Sequence, residues 1–343
     1  MKEKNPLLWL IPLILLLLLI PFVVPSALTN AGAEDVLPAY APVELGNTSP
    51  EPLSMPDPTK PSTDHYTANP DCFVYDEKTG LPCGYQDDTV YIKIETGMVR
   101  GNVVYFTWVQ IADATQMRAF ARRSDKYPDR MSKDLDALLS FNADWFSDRA
   151  GGIIYRNAQL MRPEKDAPRH DVLIIDDEGD FHILHHPSLD DFAPYVGHIL
   201  HSFLFGPGLV VNGQLMTSDE ETFVQNHYGT GNGMGLTTRT QRQIFCQMGR
   251  LSYLIITTEG PQETKDGGFT AAEAADLAYA MGAQNAYNLD GGNSACVIMK
   301  DPRGKGSWVK LNRYKKTARS IPDLIYFVTA VPSAPAEEAA PQE

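Results

Sequence analysis

Residues 285–299 run from a short apolar segment through a polar turn into a second apolar segment, and this stretch constrains the fold more than any other. The turn reads Asp290-Gly291-Gly292-Asn293-Ser294. Adjacent glycines admit φ > 0 and let a ligand or another backbone approach closely. They also leave main-chain N–H groups able to face an anion. Asp290 ends the first apolar run, so it stands at a strand terminus beside that opening. Read alone, Asp-Gly is a hairpin signal. A helix is predicted just upstream, over 270–281, with Gly282 as its C-cap.

The N-terminal end has a different character. Lys2 and Lys4 precede an uncharged, Leu- and Ile-rich run over 7–24, long enough to cross a bilayer. Ala31-Gly32-Ala33 offers the small residues that signal cleavage needs. Residues 1–33 therefore read as a signal anchor or a signal peptide. In either case the positive N-terminus puts the remainder outside the cytoplasm. The expected location is the cell membrane, single-pass with the domain on the extracytoplasmic side, or secretion if the segment is cleaved. Residues 34–84 read as a Pro-rich extracytoplasmic linker, with few large apolar residues to offset the entropy of ordering. Residues 85–331 suit one domain, and 332–343 read as a disordered tail. The formal net charge of −14, with no offsetting basic stripe, excludes nucleic acid as a partner. It also opposes tight electrostatic binding to anionic lipid, so the expected membrane contact is the N-terminal segment itself.

Strands are predicted at 90–94, 103–111, 172–176, 181–184, 251–257 and 324–328. A short helix is predicted over 113–123 behind an Asp cap. The acidic turn 177–180 lacks the ligand spacing of a calcium loop and reads as a hairpin turn. Residues 218–235, Gly- and Asn-rich, read as an extended loop. Cys72 and Cys83 flank a turn, and outside the cytoplasm both a local disulfide and two free thiols are open to them. Cys246 and Cys296 lie in apolar runs and read as buried small hydrophobes. His185, His186, His198 and His201 invite a metal reading, and His198 and His201 have the spacing of one helical face. No Cys/His or zincin pattern accompanies them, so no metal and no cofactor is expected.

Residues 268–283 followed by Tyr287-Asn288-Leu289-Asp290-Gly291-Gly292-Asn293-Ser294 resemble the signature of the phosphodiester glycosidase family. That domain occurs in the enzyme that uncovers N-acetylglucosamine-1-phosphodiesters and in bacterial envelope proteins. Further blocks resemble the family in order over about 85–330. They are Asn142-Ala143-Asp144, with Ala143 where Gly is usual; a hairpin with arginines at 152–162; and Gly206-Pro207-Gly208 before a β-branched run. Arg239 to Gly249, Glu259-Gly260 and Thr317 to Asp323 complete the set. Aligning the Arg block on Gln247 selects Arg242, and aligning on Arg-Thr selects Arg239; the strand that follows favours Arg242.

The resemblance implies an extracytoplasmic hydrolase acting on a sugar-1-phosphodiester bond in a cell-envelope or exopolysaccharide glycan. Such a reaction passes through an oxocarbenium-like transition state that a carboxylate stabilises. Its leaving phosphate suits an arginine fork and main-chain N–H groups. The implied catalytic residues are Asp290 and Asp144, with Glu259 in reserve. Arg242, Arg239 and Arg319 are implied for the phosphate, with Gly291 and Gly292 shaping its cradle. Asn142, Asn288 and Ser294 are implied to fix the sugar or the carboxylates. The departures Ala143, Asn293 and Cys246 keep a second reading open, a non-catalytic glycan-binding envelope protein on the same fold. A structural wall protein, with Asp-Gly-Gly as a plain hairpin, is the third. The expected fold class is α+β: a mixed, mainly antiparallel sheet core with packed helices, preceded by one N-terminal transmembrane segment.

Overall fold

The computed structural model describes residues 37–39, 41–148, 152–163, 170–216, 235–260, 267–304, 307–312 and 319–332. The expected leader 1–33, nearly all of the loop 218–235 and the tail after Pro332 lie outside the described residues.

The larger sheet has nine strands, in the spatial order Phe73–Tyr75, Pro82–Gln86, Val90–Val99, Asn102–Ile111, Ser252–Thr258, Gln243–Gly249, Asn285–Leu289, Gly208–Val211 and Gln214–Leu215. A second sheet has five, in the order Ser307–Lys310, Val297–Asp301, Leu139–Asn142, Ile321–Phe327 and Met117–Lys126. The pairings within both are antiparallel. Side chains alternate across a strand, so each strand of the larger sheet serves two layers. Phe245, Ile255, Tyr287 and Leu289 point to one side and pack with Phe141, Val297, Met299 and Phe327 of the five-stranded sheet. Ile244, Cys246, Leu254, Ile256 and Ala286 point to the other, under a helix.

That helix, Ala271–Ala280, begins in a reciprocal cap. Thr270 Oγ1 accepts from Glu273 N at 3.2 Å, and Glu273 Oε2 accepts from Thr270 N at 3.0 Å. Its small residues Ala271, Ala274, Ala275 and Ala278 are fully buried, which lets the helix lie close on the sheet. Gly282, at φ 81°, ends it as the sequence predicts. A three-stranded sheet (Phe181–Leu184, Val172–Asp176, Ile199–Phe203) and the hairpin Ile153–Arg156 with Gln159–Pro163 complete the fold. The acidic turn is the hairpin turn expected, with Asp176 Oδ1 accepting from Glu178 N and Asp180 N.

The α+β expectation is corrected. The fold is mostly antiparallel sheet, and the α-helices among the described residues are the short Pro128–Asp134 and Ala271–Ala280. The expected transmembrane helix is not among the elements found: no described helix is long and apolar enough to cross a membrane, and residues 7–24 lie outside the described ones. The helix predicted over 113–123 is also corrected. Asp113 caps only the single turn Ala114–Gln116, after which Met117–Lys126 pairs along Ile321–Phe327. The cap signal was real, but a sheet edge claimed the backbone that followed it.

The segment read as a linker lies largely on the domain. Val43 N donates to Gln110 Oε1 at 3.0 Å, Arg118 Nη2 to Ser54 O at 2.9 Å, and Ala121 N to Pro58 O at 2.8 Å. Polar contacts fix this chain with few apolar residues, so composition alone suggested a spacer. Cys72 and Cys83 are both free thiols. The ladder sets Phe73 against Tyr85 and Val74 against Gly84, which offsets the two cysteines along it.

Candidate active site

The Asp290 turn is a crossover between sheets. Asn285–Leu289 lies inside the larger sheet, whereas Val297–Asp301, which follows, belongs to the five-stranded one. This excludes the hairpin reading of Asp-Gly-Gly. The crossover is pinned at several points. Asn142 Nδ2 donates to Asp290 O at 2.6 Å, and Asn142 Oδ1 accepts from Cys296 N at 3.1 Å. Asp290 N donates to Ala143 O at 3.1 Å. One buried Asn thus ties the end of Leu139–Asn142 to both ends of the turn. Ala143 lies outside the positive-φ region; the positive φ nearby falls on Trp145, at 58°. An alanine at 143 is therefore unstrained.

The glycines serve close packing. Gly292 N donates to Gln241 O at 2.9 Å, and Gly292 has φ +55°. A Cβ on Gly291 would stand 2.5 Å from that same carbonyl. A Cβ on Gly260 would meet the Gln241 side chain and N at 2.6–2.9 Å. The turn is thus seated on the buried Gln241, ahead of the strand Gln243–Gly249.

Asp290 is half-buried; its charge and that of Lys310 both act on the Cys296 thiol, and Cys296 and Glu259 both act on Lys310. Ser294 is buried, and its Oγ has no hydrogen-bond partner among the described residues. Burial raises the Cys296 thiol pKa to about 12, with Lys310 acting against the shift and Asp290 adding to it. Burial lowers the Lys310 ammonium pKa, and Cys296 and Glu259 oppose that. Glu259 is fully buried at the end of Ser252–Thr258, and its N donates to Val103 O at 2.9 Å. Lys310 Nζ donates to Asn312 O at 2.6 Å, and Asn312 holds Val297 N and Ala295 O through its side chain. Asp290, Cys296 and Lys310 are thus linked electrostatically where the two sheets meet, with Glu259 linked to Lys310. Lys310 had no signal in the sequence beyond being a lone Lys in a short strand.

Asp144 lies in a separate, fully enclosed group. Its Oδ1 takes Arg156 Nη2 at 2.6 Å and its Oδ2 takes Leu204 N at 2.6 Å. Asp323 adjoins both, 3.9 Å from Arg156, and accepts from Phe146 N at 2.9 Å. Burial pushes both acids up. For Asp144 the Arg156 charge and a hydrogen bond from Asp323 outweigh this and hold it below the ordinary value. For Asp323 the neighbouring Asp144 charge adds to burial and carries it well above. The two surroundings thus drive the pair apart, toward a charged Asp144 and a neutral Asp323.

The other implied residues are dispersed. Arg242 lies on the helix-covered side, where its guanidinium donates to Phe269 O, Gly235 O, Thr238 O and Leu236 O at 2.7–3.2 Å. Arg239 binds Glu273 and Gly268 O, at the helix start. Arg319 is exposed, 4.1 Å over the Trp145 ring. Asn288 donates to Gly206 O at 2.8 Å from the strand face opposite Tyr287. Asn142, Asp290, Gly291, Gly292 and Ser294 come together at the turn, Asn288 lies two residues before it on the same strand, and Asp144, Arg242, Arg239 and Arg319 are held by the other partners given above.

The phosphodiester glycosidase family model matches residues 136–328. In fold, the chain is similar to the catalytic domain of zebrafish N-acetylglucosamine-1-phosphodiester alpha-N-acetylglucosaminidase, auto-inhibited by its pro-peptide. The TM-score is 0.53 at 14% identity, over 75% of this chain and 91% of that one. It is also similar to a hypothetical protein from Synechocystis, with a TM-score of 0.51 at 11% identity, over 72% of this chain and 64% of the other. No curated protein sequence matches the chain.

Proposed function

The chain belongs to the phosphodiester glycosidase family, and from that premise we propose that it hydrolyses a sugar-1-phosphodiester in an extracytoplasmic glycan of the cell envelope or an exopolysaccharide. The observation that carries this reading is the Asp290 crossover. It carries a half-buried carboxylate at the junction of two sheets, whose charge acts on Cys296 together with that of Lys310. In the proposed step the C1–O bond breaks and the phosphate monoester leaves with the bonding pair. Water supplies the new hydroxyl on C1, and its proton passes to a carboxylate. Asp290 stabilises the positive charge developing at C1, and Glu259 is the second carboxylate. Lys310 receives the charge of the leaving phosphate, the task the sequence suggested for Arg242. Asn142, Gly291 and Gly292 hold Asp290 in place through its main chain. Asp144 acts at one remove, anchoring with Arg156 the segment that follows Asn142. Action outside the cytoplasm is supported by Lys2, Lys4 and the apolar run 7–24.

One observation favours the alternative, a glycan-binding protein without turnover. Arg242 is committed to main-chain carbonyls and presents no fork to a phosphate. The two readings separate in one experiment. The purified protein is incubated with a panel of sugar-1-phosphodiesters, and free sugar and phosphate monoester are followed by mass spectrometry. Both products in equal amounts support hydrolysis; retention of the ligands with no product supports binding alone.

A further inference from the structure

At the open end of the Val172–Asp176 and Phe181–Leu184 hairpin, three metal-ligating side chains converge away from the Asp290 site. Leu184 pairs with Val172 at the end of the ladder, so Asp171 on one side and His185 and His186 on the other leave its open end together. His185 Nδ1 lies 2.8 Å from Asp171 Oδ1, and His186 N donates to the same oxygen at 3.3 Å. One ligand atom from each of Asp171, His185 and His186 lies within 4.8 Å of the other two.

We propose that Asp171, His185 and His186 bind a divalent transition-metal ion, zinc by preference. The donor set supports that class: two imidazoles and one carboxylate suit a borderline cation, whereas calcium and magnesium prefer all-oxygen sites. The carboxylate is pre-oriented. Asp171 is 1% exposed, its Oδ2 accepts from Gly208 N at 2.9 Å, and its Oδ1 is turned toward the His185 imidazole. Such a second contact fixes a ligand's direction before the metal arrives. Both histidines are exposed, which gives an ion access and leaves positions for water. His186 has φ 42°, and the His185 and His186 ring centroids lie 4.4 Å apart.

A bound ion would clamp the hairpin end to Gly208. The Gly208–Val211 strand pairs with Asn285–Leu289, and Tyr287 Oη donates to Asp171 O at 2.7 Å. The site thus stiffens the strand that leads to Asp290 without touching that carboxylate. The sequence singled out His185 and His186 but not Asp171, because the carboxylate comes from across the open end of the hairpin and not from a helical or Cys/His spacing.

The test is zinc titration by calorimetry on the untagged protein, beside His185→Ala/His186→Ala. Both replaced side chains are exposed, and circular dichroism checks that the variant folds. The expected result is one zinc per chain in the parent, a melting temperature that rises with zinc, and affinity about tenfold or more weaker in the variant, with the melting shift gone. Absence of zinc binding to the parent at micromolar concentrations overturns the proposal. So does a folded variant that binds zinc as tightly as the parent.

Discussion

Asp323 and Asp144 are two buried acids with one arginine between them, and their environments drive their protonation apart. Asp323 has a folded pKa well above 3.8, so its contribution to stability is complete below that value. The contribution is lost as pH rises through the raised folded value, because a second buried charge must then appear beside Asp144. Asp144 has the opposite sign: its contribution is present above its unfolded pKa and is lost as acidification reaches its depressed folded one. Asp323→Asn isolates the first effect. The amide donates to Asp144 where the carboxyl did and still accepts from Phe146 N, but it has no proton to lose. Melting followed from mildly acid to alkaline pH should show a decline in the parent that the variant lacks. Identical profiles would mean that Asp323 carries no proton in the folded state. Sequence reading found Asp144 through its resemblance block and assigned it to the cleft. It missed the enclosure because Arg156 and Asp323 reach Asp144 only after the hairpin Ile153–Arg156 and the strand Ile321–Phe327 are in place. The carbonyl partners of Arg242 were hidden for a similar reason: they come from segments whose nearness no spacing reveals.

The strand–turn–strand element at Asp290 was the most legible part of the chain. Its apolar runs, paired glycines and preceding capped helix appear where the sequence put them. What sequence did not reveal is that the two strands lie in different sheets, because an Asp-Gly turn looks alike in a hairpin and in a crossover. The reason for glycine also changed, from room for a ligand to room for Gln241 O. Gly291→Ala tests that directly, since its Cβ would stand 2.5 Å from the Gln241 carbonyl, which also accepts from Gly292 N. The expected cost is about 1–3 kcal/mol, the usual range for overpacking a site that cannot relax. Gly249→Ala is the control, with nothing within 4 Å of the added Cβ. Equal melting temperatures for both variants would show that the turn has slack there.

At the scale of the molecule, antiparallel pairing was expected and the share of helix was overestimated. Apolar runs such as 117–121 form strands because they find partners far along the chain, which local propensity does not encode. Layering the two sheets against each other brings Asn142, the Asp290–Ser294 turn and Lys310 from three separate segments to one junction, with Glu259 acting on Lys310 from a fourth. That convergence is the physical content of the ordered sequence blocks, and the proposed reaction depends on it. Asp290→Asn tests the reaction most directly, because it keeps the side-chain shape and the main-chain contacts to Asn142 and Ala143 while removing the charge. Release of free sugar from a sugar-1-phosphodiester is measured for parent and variant at equal concentration, with melting to confirm the fold. The expected result is an unchanged melting temperature and turnover lower by about 100-fold or more. A folded Asp290→Asn variant that turns over like the parent would contradict the central role given to Asp290.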